Sequence, residues 1–239
     1  MDFGNITTNI IKKGLVFNMD AANRASTKPI STITTSFNTV NTSISGAFSD
    51  NGIFDSSTIT PSYAFGGTDD YIDAGSSLGV IGTEVRTFSV WLKTSQTSIT
   101  QTVLGTRNYN TDGWVIQIYP NSILFYNVKG GSYKGIYTTA ANLTDGNWHH
   151  LVIVRAGTAN NKIYVDGVSQ TLNTTTFGDE NLTDPQSSKD LLIGAGYNNG
   201  GTLYRFFNGN IGPCHIYNRA LPANEVLHNY NALKGRFGL

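Results

Sequence analysis

Apolar and polar residues alternate with a period of two through much of the chain. The clearest case is Thr87–Lys93, where Phe88, Val90 and Leu92 face one way and Ser89, Trp91 and Lys93 the other. Similar short runs occur at Gly14–Asp20, Trp114–Tyr119, Ser122–Val128, Tyr133–Thr138, Leu191–Gly194 and Phe206–Tyr217. Between Asn147 and Val168, a β-branched run (Leu151–Val154), a polar turn (Gly157–Asn161) and a second run (Lys162–Val165) predict a hairpin, and Asp166-Gly167 predicts the turn that leaves it. Turn signals recur roughly every 8–15 residues, the spacing of a sandwich or jelly roll. One helix is predicted, from Pro222 to about Lys234. Proline stands in its first turn, Glu225 near its positive end and Gly235 beyond it, with Val226, Tyr230 and Leu233 as its apolar stripe.

Residues 24–60 break the pattern. Ser, Thr and Asn dominate there, which predicts irregular extended structure with one or two short strands. No repeat, heptad run or linker divides the chain, so a single domain is expected over 14–239, preceded by an N-terminal arm, 1–13.

Composition narrows the function classes. Formal net charge is zero and charged residues make up 13% of the chain, so neither nucleic acid nor an anionic membrane surface is an expected partner. No apolar run approaches the roughly 20 residues of a membrane helix. With one cysteine, Cys214, no intrachain disulfide can form, and a small buried strand residue is expected there. Residues 1–5 lack a basic stretch leading into an apolar core, so synthesis without a secretory signal, in a reducing cytoplasm, is expected.

Four stretches carry a resemblance. Gly14–Asn23 is similar to a G-L-V-L-x-L-D-A-x-N opening, and Phe65–Ile72 to F-D-G-x-x-D-Y-(I/V). The hairpin is similar to W-H-x-(strand)…Y-V-D-G, and the segment from Gly209 through Glu225 to a closing I-Y-N-R-A-L-(S/P)-x-x-E-(I/V). Together, in this order, they resemble concanavalin A-like, laminin-G-type jelly rolls. The resemblance implies an all-β concanavalin A-like jelly-roll sandwich of two antiparallel sheets with one short C-terminal helix. Such domains usually bind carbohydrate or protein surfaces, and only some are enzymes. The tail Asn229–Leu239 further resembles those of structural proteins of tailed bacteriophages.

Glucanases of this fold carry paired carboxylates in E-x-D-x-(x)-E on one strand. The three glutamates here, Glu84, Glu180 and Glu225, form no such motif, and no enzyme is expected. Relatives often bind calcium, which makes Asp69, Asp70 and Asp73 the candidate ligands. Glycine at 66 and 212 replaces aspartates common in relatives, and local capping is the competing expectation. His149 and His150, as strand neighbours, face opposite ways, one inward and one toward solvent, and do not suggest a metal pair. Gly75–Gly79 matches G-x-S-x-G but sits in a β turn region without a nucleophile elbow, and Gly194–Gly200 has the wrong spacing for a dinucleotide site.

Aromatic rings beside amides are the better lead, because sugars stack on rings while Asn, Asp and backbone groups satisfy their hydroxyls. Tyr197, Asn198, Asn199, Tyr204, Tyr109 and Asp112 are the candidate glycan-binding residues, with the Tyr197–Gly201 loop foremost. Tyr133 and Tyr137 lie in the same regions, and Trp114 and Trp148 are expected in the core. The resulting expectation is a non-enzymatic virion surface module, a decoration or accessory protein of a phage capsid or tail. Its expected partners are other virion proteins, further copies of itself and bacterial surface glycans. Residues 1–13 and 24–60 are the expected docking segments. A dedicated lectin for bacterial polysaccharide is the alternative, and a glycan hydrolase a lesser one.

Overall fold

The computed structural model describes residues 10–23, 26, 35–41, 43–49, 53–55, 60–75, 85–108, 111–157, 159–173, 189–198 and 201–239. Short strands run in order: β1 (Leu15–Met19), β2 (Thr35–Phe37), β3 (Ser45–Phe48), β4 (Phe54–Asp55), β5 (Ser62–Gly66) and β6 (Ile72–Asp73). The longer ones follow as β7 (Arg86–Lys93), β8 (Gln101–Gly105), β9 (Asp112–Tyr119), β10 (Ser122–Lys129), β11 (Ser132–Thr138) and β12 (Trp148–Arg155). Then come β13 (Lys162–Val165), β14 (Val168–Ser169), β15 (Leu172–Asn173), β16 (Leu192–Ile193), β17 (Gly196–Tyr197), β18 (Leu203–Tyr204) and β19 (Asn208–Tyr217). Helix α1 (Ala223–Leu233) and a single 3-10 turn, Lys234–Phe237, close the chain.

Among the described residues the paired strands are antiparallel and form two large sheets and a small two-stranded one, β17-β18. An eight-stranded sheet is ordered β14-β13-β12-β7-β19-β5-β4, with β1 also on β19, and a nine-stranded sheet is ordered β15-β11-β10-β9-β8-β16-β6-β3-β2. Strand β19 pairs β5 with its first half and β1 with its second, and its register against β7 shifts between Ile211 and Cys214. Pro213, which has no N–H to give a ladder, falls inside that shift.

The alternation predicted for β7 is the alternation found. Phe88, Val90 and Leu92 join Trp114, Phe125 and Ile153 between the sheets, and Trp91 lies on the outer face. Strand β12 is likewise buried on both sides. Leu151 and Ile153 face the inner core, while Val152 and Val154 pack outside with Tyr217 and Val226 of α1. Cys214 is buried in the inner core, as expected. Each large apolar side chain so buried contributes about 1.5–3 kcal/mol.

Several expectations need revision. Trp148 is half-buried on the outer face, its ring centroid 4.6 Å from that of Phe237, because at the rim of β12 the 3-10 turn supplies the cover. Residues 35–55 contribute three short strands rather than one or two, and these extend both sheets at their edges. The chain is already packed at Ile10, which lies with Trp91, Leu233 and Phe237, and the Ile11 N–H donates to Asn229 Oδ1 at 2.8 Å. Residues 1–9 and 27–34, within the expected docking segments, lie outside the described residues, as do residues 76–79 of the Gly75–Gly79 motif. Among the described residues no helix is long and apolar enough to cross a membrane.

Candidate functional site

The outer face of the eight-stranded sheet is covered by α1, and the outer face of the nine-stranded sheet is built differently. Alternation along β9 and β10 sends Trp114, Ile116, Ile123 and Phe125 inward, and Val115, Gln117, Leu124 and Tyr126 outward. Tyr133 and Tyr137 of β11 join this outward row. Val115, Gln117, Leu124 and Tyr126 are themselves buried, and the half-buried Tyr133 and Tyr137 rings form the accessible margin of the row, which is aromatic and polar as well as aliphatic.

Arg107 leaves the end of β8 and crosses this row. Its guanidinium carbon lies 5.1 Å from the Tyr126 ring centroid and 5.8 Å from that of Tyr133. Its Nη1 donates to Tyr204 Oη of the β17–β18 hairpin. Glycine makes the close approach possible. Gly113 sits at φ 98°, and a Cβ there would stand 2.7 Å from Arg107 Cα. At Gly135, on β11, a Cβ would stand 2.6 Å from Tyr126 Cα. Burial, opposed by the neighbouring Arg107, pushes the Tyr126 hydroxyl well above the ordinary tyrosine value, so it stays a neutral donor and acceptor.

A second cation is held nearby. Arg205 has the left-handed φ of 54°, its carbonyl accepts from Thr102 N–H at 2.8 Å, and its Nη1 donates to Gln117 Oε1 at 2.8 Å. Gln117 is fully buried and in turn donates to Thr102 Oγ1 at 3.2 Å. The Arg205 guanidinium lies 5.0 Å from the Tyr204 ring centroid. At the other corner of the hairpin, Lys189 Nζ lies 5.1 Å from the Tyr197 centroid. Burial first, and then Asp73 and Asp190, push the Tyr197 hydroxyl up to about 12.

The structure therefore brings Tyr197, Tyr204 and Asp112 to one region. Asn108 bridges both Asp112 and Tyr197, which joins the β8–β9 connection to the hairpin. Asn198 has a local part: its Oδ1 accepts Thr202 N–H at 3.0 Å and holds the turn. Tyr109 and Asn199 lie outside the described residues. Arg107, Tyr126, Gln117 and Arg205 were not foreseen. The outward positions of Tyr126 and Gln117 follow from alternation, but the two arginines are placed by contacts between distant segments.

The three candidate calcium ligands do not converge. Asp70 accepts from Gly66 N–H, Asp69 from Thr68 Oγ1 at 2.8 Å, and Asp73 from Gly75 N–H at 2.9 Å. These are local turn contacts of the capping kind. Among the described residues no group of three or more His, Cys, Asp or Glu is placed to hold a metal ion.

The histidine pair divides differently from expectation. His150 is buried, with Nε2 2.8 Å from Ser89 Oγ and its ring stacked on Trp91 at 5.0 Å. His149 is not simply solvated. Its Nδ1 lies 2.8 Å from Asp166 Oδ2 and its Nε2 3.0 Å from Asp145 Oδ1. Burial disfavours its charge, but the hydrogen bonds to the two carboxylates outweigh it, and its pKa is raised.

The family model described as the concanavalin A-like lectin/glucanases superfamily matches residues 65–227. No curated protein matches the chain. Among solved structures, the binding domain of botulinum neurotoxin serotype D is similar at 14% identity and a TM-score of 0.60, covering 91% of this chain and 51% of that one. The binding domain of Paraclostridial Mosquitocidal Protein 1 is similar at 14% identity and a TM-score of 0.61, covering 92% of this chain and 52% of that one. A structure of botulinum neurotoxin type C, whose cell entry is described as dependent on interaction with two ganglioside molecules, matches at 12% identity and a TM-score of 0.62, covering 92% and 51%. The chain thus spans about half the length of each of these structures.

Proposed function

The chain belongs to the concanavalin A-like lectin/glucanases superfamily, and from that membership and the outer face of its nine-stranded sheet we propose that it is a non-enzymatic glycan-binding domain. The observation that carries this reading is the row Tyr204–Arg107–Tyr126–Tyr133, in which the guanidinium from the β8–β9 connection interlocks with phenol groups of three strands. Arg107 and Tyr126 are buried at the base of this row, and the half-buried rings of Tyr133 and Tyr204 are its accessible part; rings beside fixed hydrogen-bond donors suit a polyhydroxylated ligand. The described dependence of one fold neighbour on gangliosides supports the same class of ligand.

The non-enzymatic part of the reading rests on the carboxylates. Glu225 lies in the first turn of α1, on the helix that covers the other sheet, and is paired with Arg219, and the sequence holds no E-x-D-x-(x)-E run to supply an acid and a nucleophile on one strand. A glycan array with the purified domain tests the proposal. Selective retention of a glycan family supports it, and uniform absence of binding overturns it.

A virion surface setting, with other virion proteins as partners, has one support, the resemblance of the tail Asn229–Leu239. Within that tail, Phe237 stacks on Trp91 and Arg236 pairs with Asp20, so packing inside the domain accounts for both residues. The tail thus argues for the fold more than for the setting, and glycan binding is the reading carried forward. Mass spectrometry of purified phage particles would detect the chain if the virion setting holds.

A further inference from the structure

Three cations lie over tyrosine rings on this face: Arg107 over Tyr126 and Tyr133, Arg205 over Tyr204, and Lys189 over Tyr197. One face of each ring is therefore occupied by a charged group. Arg107 is buried, so what the surface presents is two half-buried cations, Arg205 and Lys189, held on aromatic supports rather than bare stacking platforms for neutral sugars.

Arg205 is the best organised of the three. A non-glycine residue at φ 54° is strained, and such strain persists where the surroundings enforce it, commonly at ligand sites. Here the surroundings are named: Thr102 N–H holds its carbonyl, the buried Gln117 holds one Nη, and the Tyr204 ring holds its plane. Gln117 is neutral, and among the described residues it is the guanidinium's only hydrogen-bond partner. Guanidinium carries five N–H donors in a planar fork that matches carboxylate and sulfate oxygens two at a time. Arg205 is half-buried, so the fork is fixed in direction without being sealed from solvent.

We propose that the ligand is an acidic glycan, and that Arg205 is the residue that binds its carboxylate or sulfate group. The proposal rests on the glycan-binding reading. Tyr204 ties the two arginines together, since Arg107 bonds its hydroxyl and Arg205 covers its ring, so an acidic group at Arg205 lies beside the rest of the polar row.

The test is titration calorimetry of the whole chain at physiological salt against matched polymers. Polygalacturonate is compared with its methyl ester, dextran sulfate with dextran, and polyglutamate serves as a polyanion that is not a glycan. At least one acidic glycan should bind roughly tenfold or more tighter than both its neutral partner and polyglutamate, the size expected of one charge-assisted pair. Which pair shows the preference distinguishes carboxylate from sulfate. Arg205→Asn, a residue that tolerates the left-handed backbone, should abolish the preference, bringing the affinities for the acidic and neutral forms together. Equal binding of acidic and neutral forms overturns this proposal and leaves the glycan reading standing, whereas no binding to any glycan overturns both. Equal binding of polyglutamate, or a preference that survives in Arg205→Asn, also overturns it. Should that variant fail to fold, the wild-type comparisons alone still decide.

Discussion

Arg236 and Asp20 form a buried bidentate pair across almost the whole chain: Nη1 to Oδ2 and Nη2 to Oδ1 are both 2.8 Å, and each side chain is 8% exposed. Arg236 Nη2 also donates to the Pro61 carbonyl at 2.9 Å. One guanidinium thus joins the residue after β1, the approach to β5 and the last turn of the chain.

Removing one partner of such a pair leaves the other charge buried and alone. Arg236→Ala should therefore lower stability by about 3–5 kcal/mol. Arg236→Lys should recover part of that loss, because a lysine keeps the charge without the fork. Urea unfolding of the two variants checks the order.

Phe237 tests the same closure through packing. Its ring stacks on Trp91 at 4.2 Å and lies 4.6 Å from Trp148. Phe237→Ala should cost about 3 kcal/mol and expose Trp148, giving a red-shifted tryptophan emission at equal glycan affinity. A fall in affinity at unchanged stability would contradict the separation drawn between the two outer faces.

The fold was largely readable from residue order because its signals are local. Period-two alternation placed Phe88 and Trp91 on their proper faces, and proline, Glu225 and Gly235 bracketed α1. The candidate face was readable only in outline. Tyr197, Tyr204 and Asp112 are singled out because loop aromatics stand beside amides in sequence, and the structure places them in one region. Arg107 and Arg205 were missed because nothing near them in sequence marks them. Their positions depend on the Asn108–Tyr197 bridge and on Thr102 holding the Arg205 carbonyl, contacts between segments far apart. Trp148 was assigned to the core because nothing local shows that a C-terminal ring will cover it from outside.

Stability should fall on both sides of neutral pH, for opposite reasons. Burial, with His215 nearby, pushes His150 down to about 3, and burial pushes His215 down to about 4. Both folded values lie below the unfolded value of about 6.5, so the unfolded chain binds more protons between them. The stability these two contribute is complete above about pH 6.5 and is lost as pH falls toward 4 and then 3. His149 has a raised folded pKa, so its contribution is complete below about pH 6.5 and is lost as pH rises through the folded value. His149→Gln should flatten the alkaline limb alone, as read by melting temperature across a pH series. An unchanged alkaline limb would contradict the assignment.

Gly113 links stability to the candidate site. Its φ of 98° and the 2.6 Å approach of Thr106 O leave no room for a Cβ. Gly113→Ala should cost about 1–3 kcal/mol and shift Arg107 off Tyr126. A weakened glycan affinity in the fraction that remains folded checks the link.

The central claim is that the outer face of the nine-stranded sheet, and not the face beneath α1, binds glycan. The most direct measurement compares the glycan affinity of the wild type, Tyr204→Ala and Leu227→Ser, the last an exposed position on α1. Selective binding by the wild type, lost in Tyr204→Ala and kept in Leu227→Ser, is the predicted result. Binding that survives in Tyr204→Ala, or no selective binding by the wild type, would contradict it.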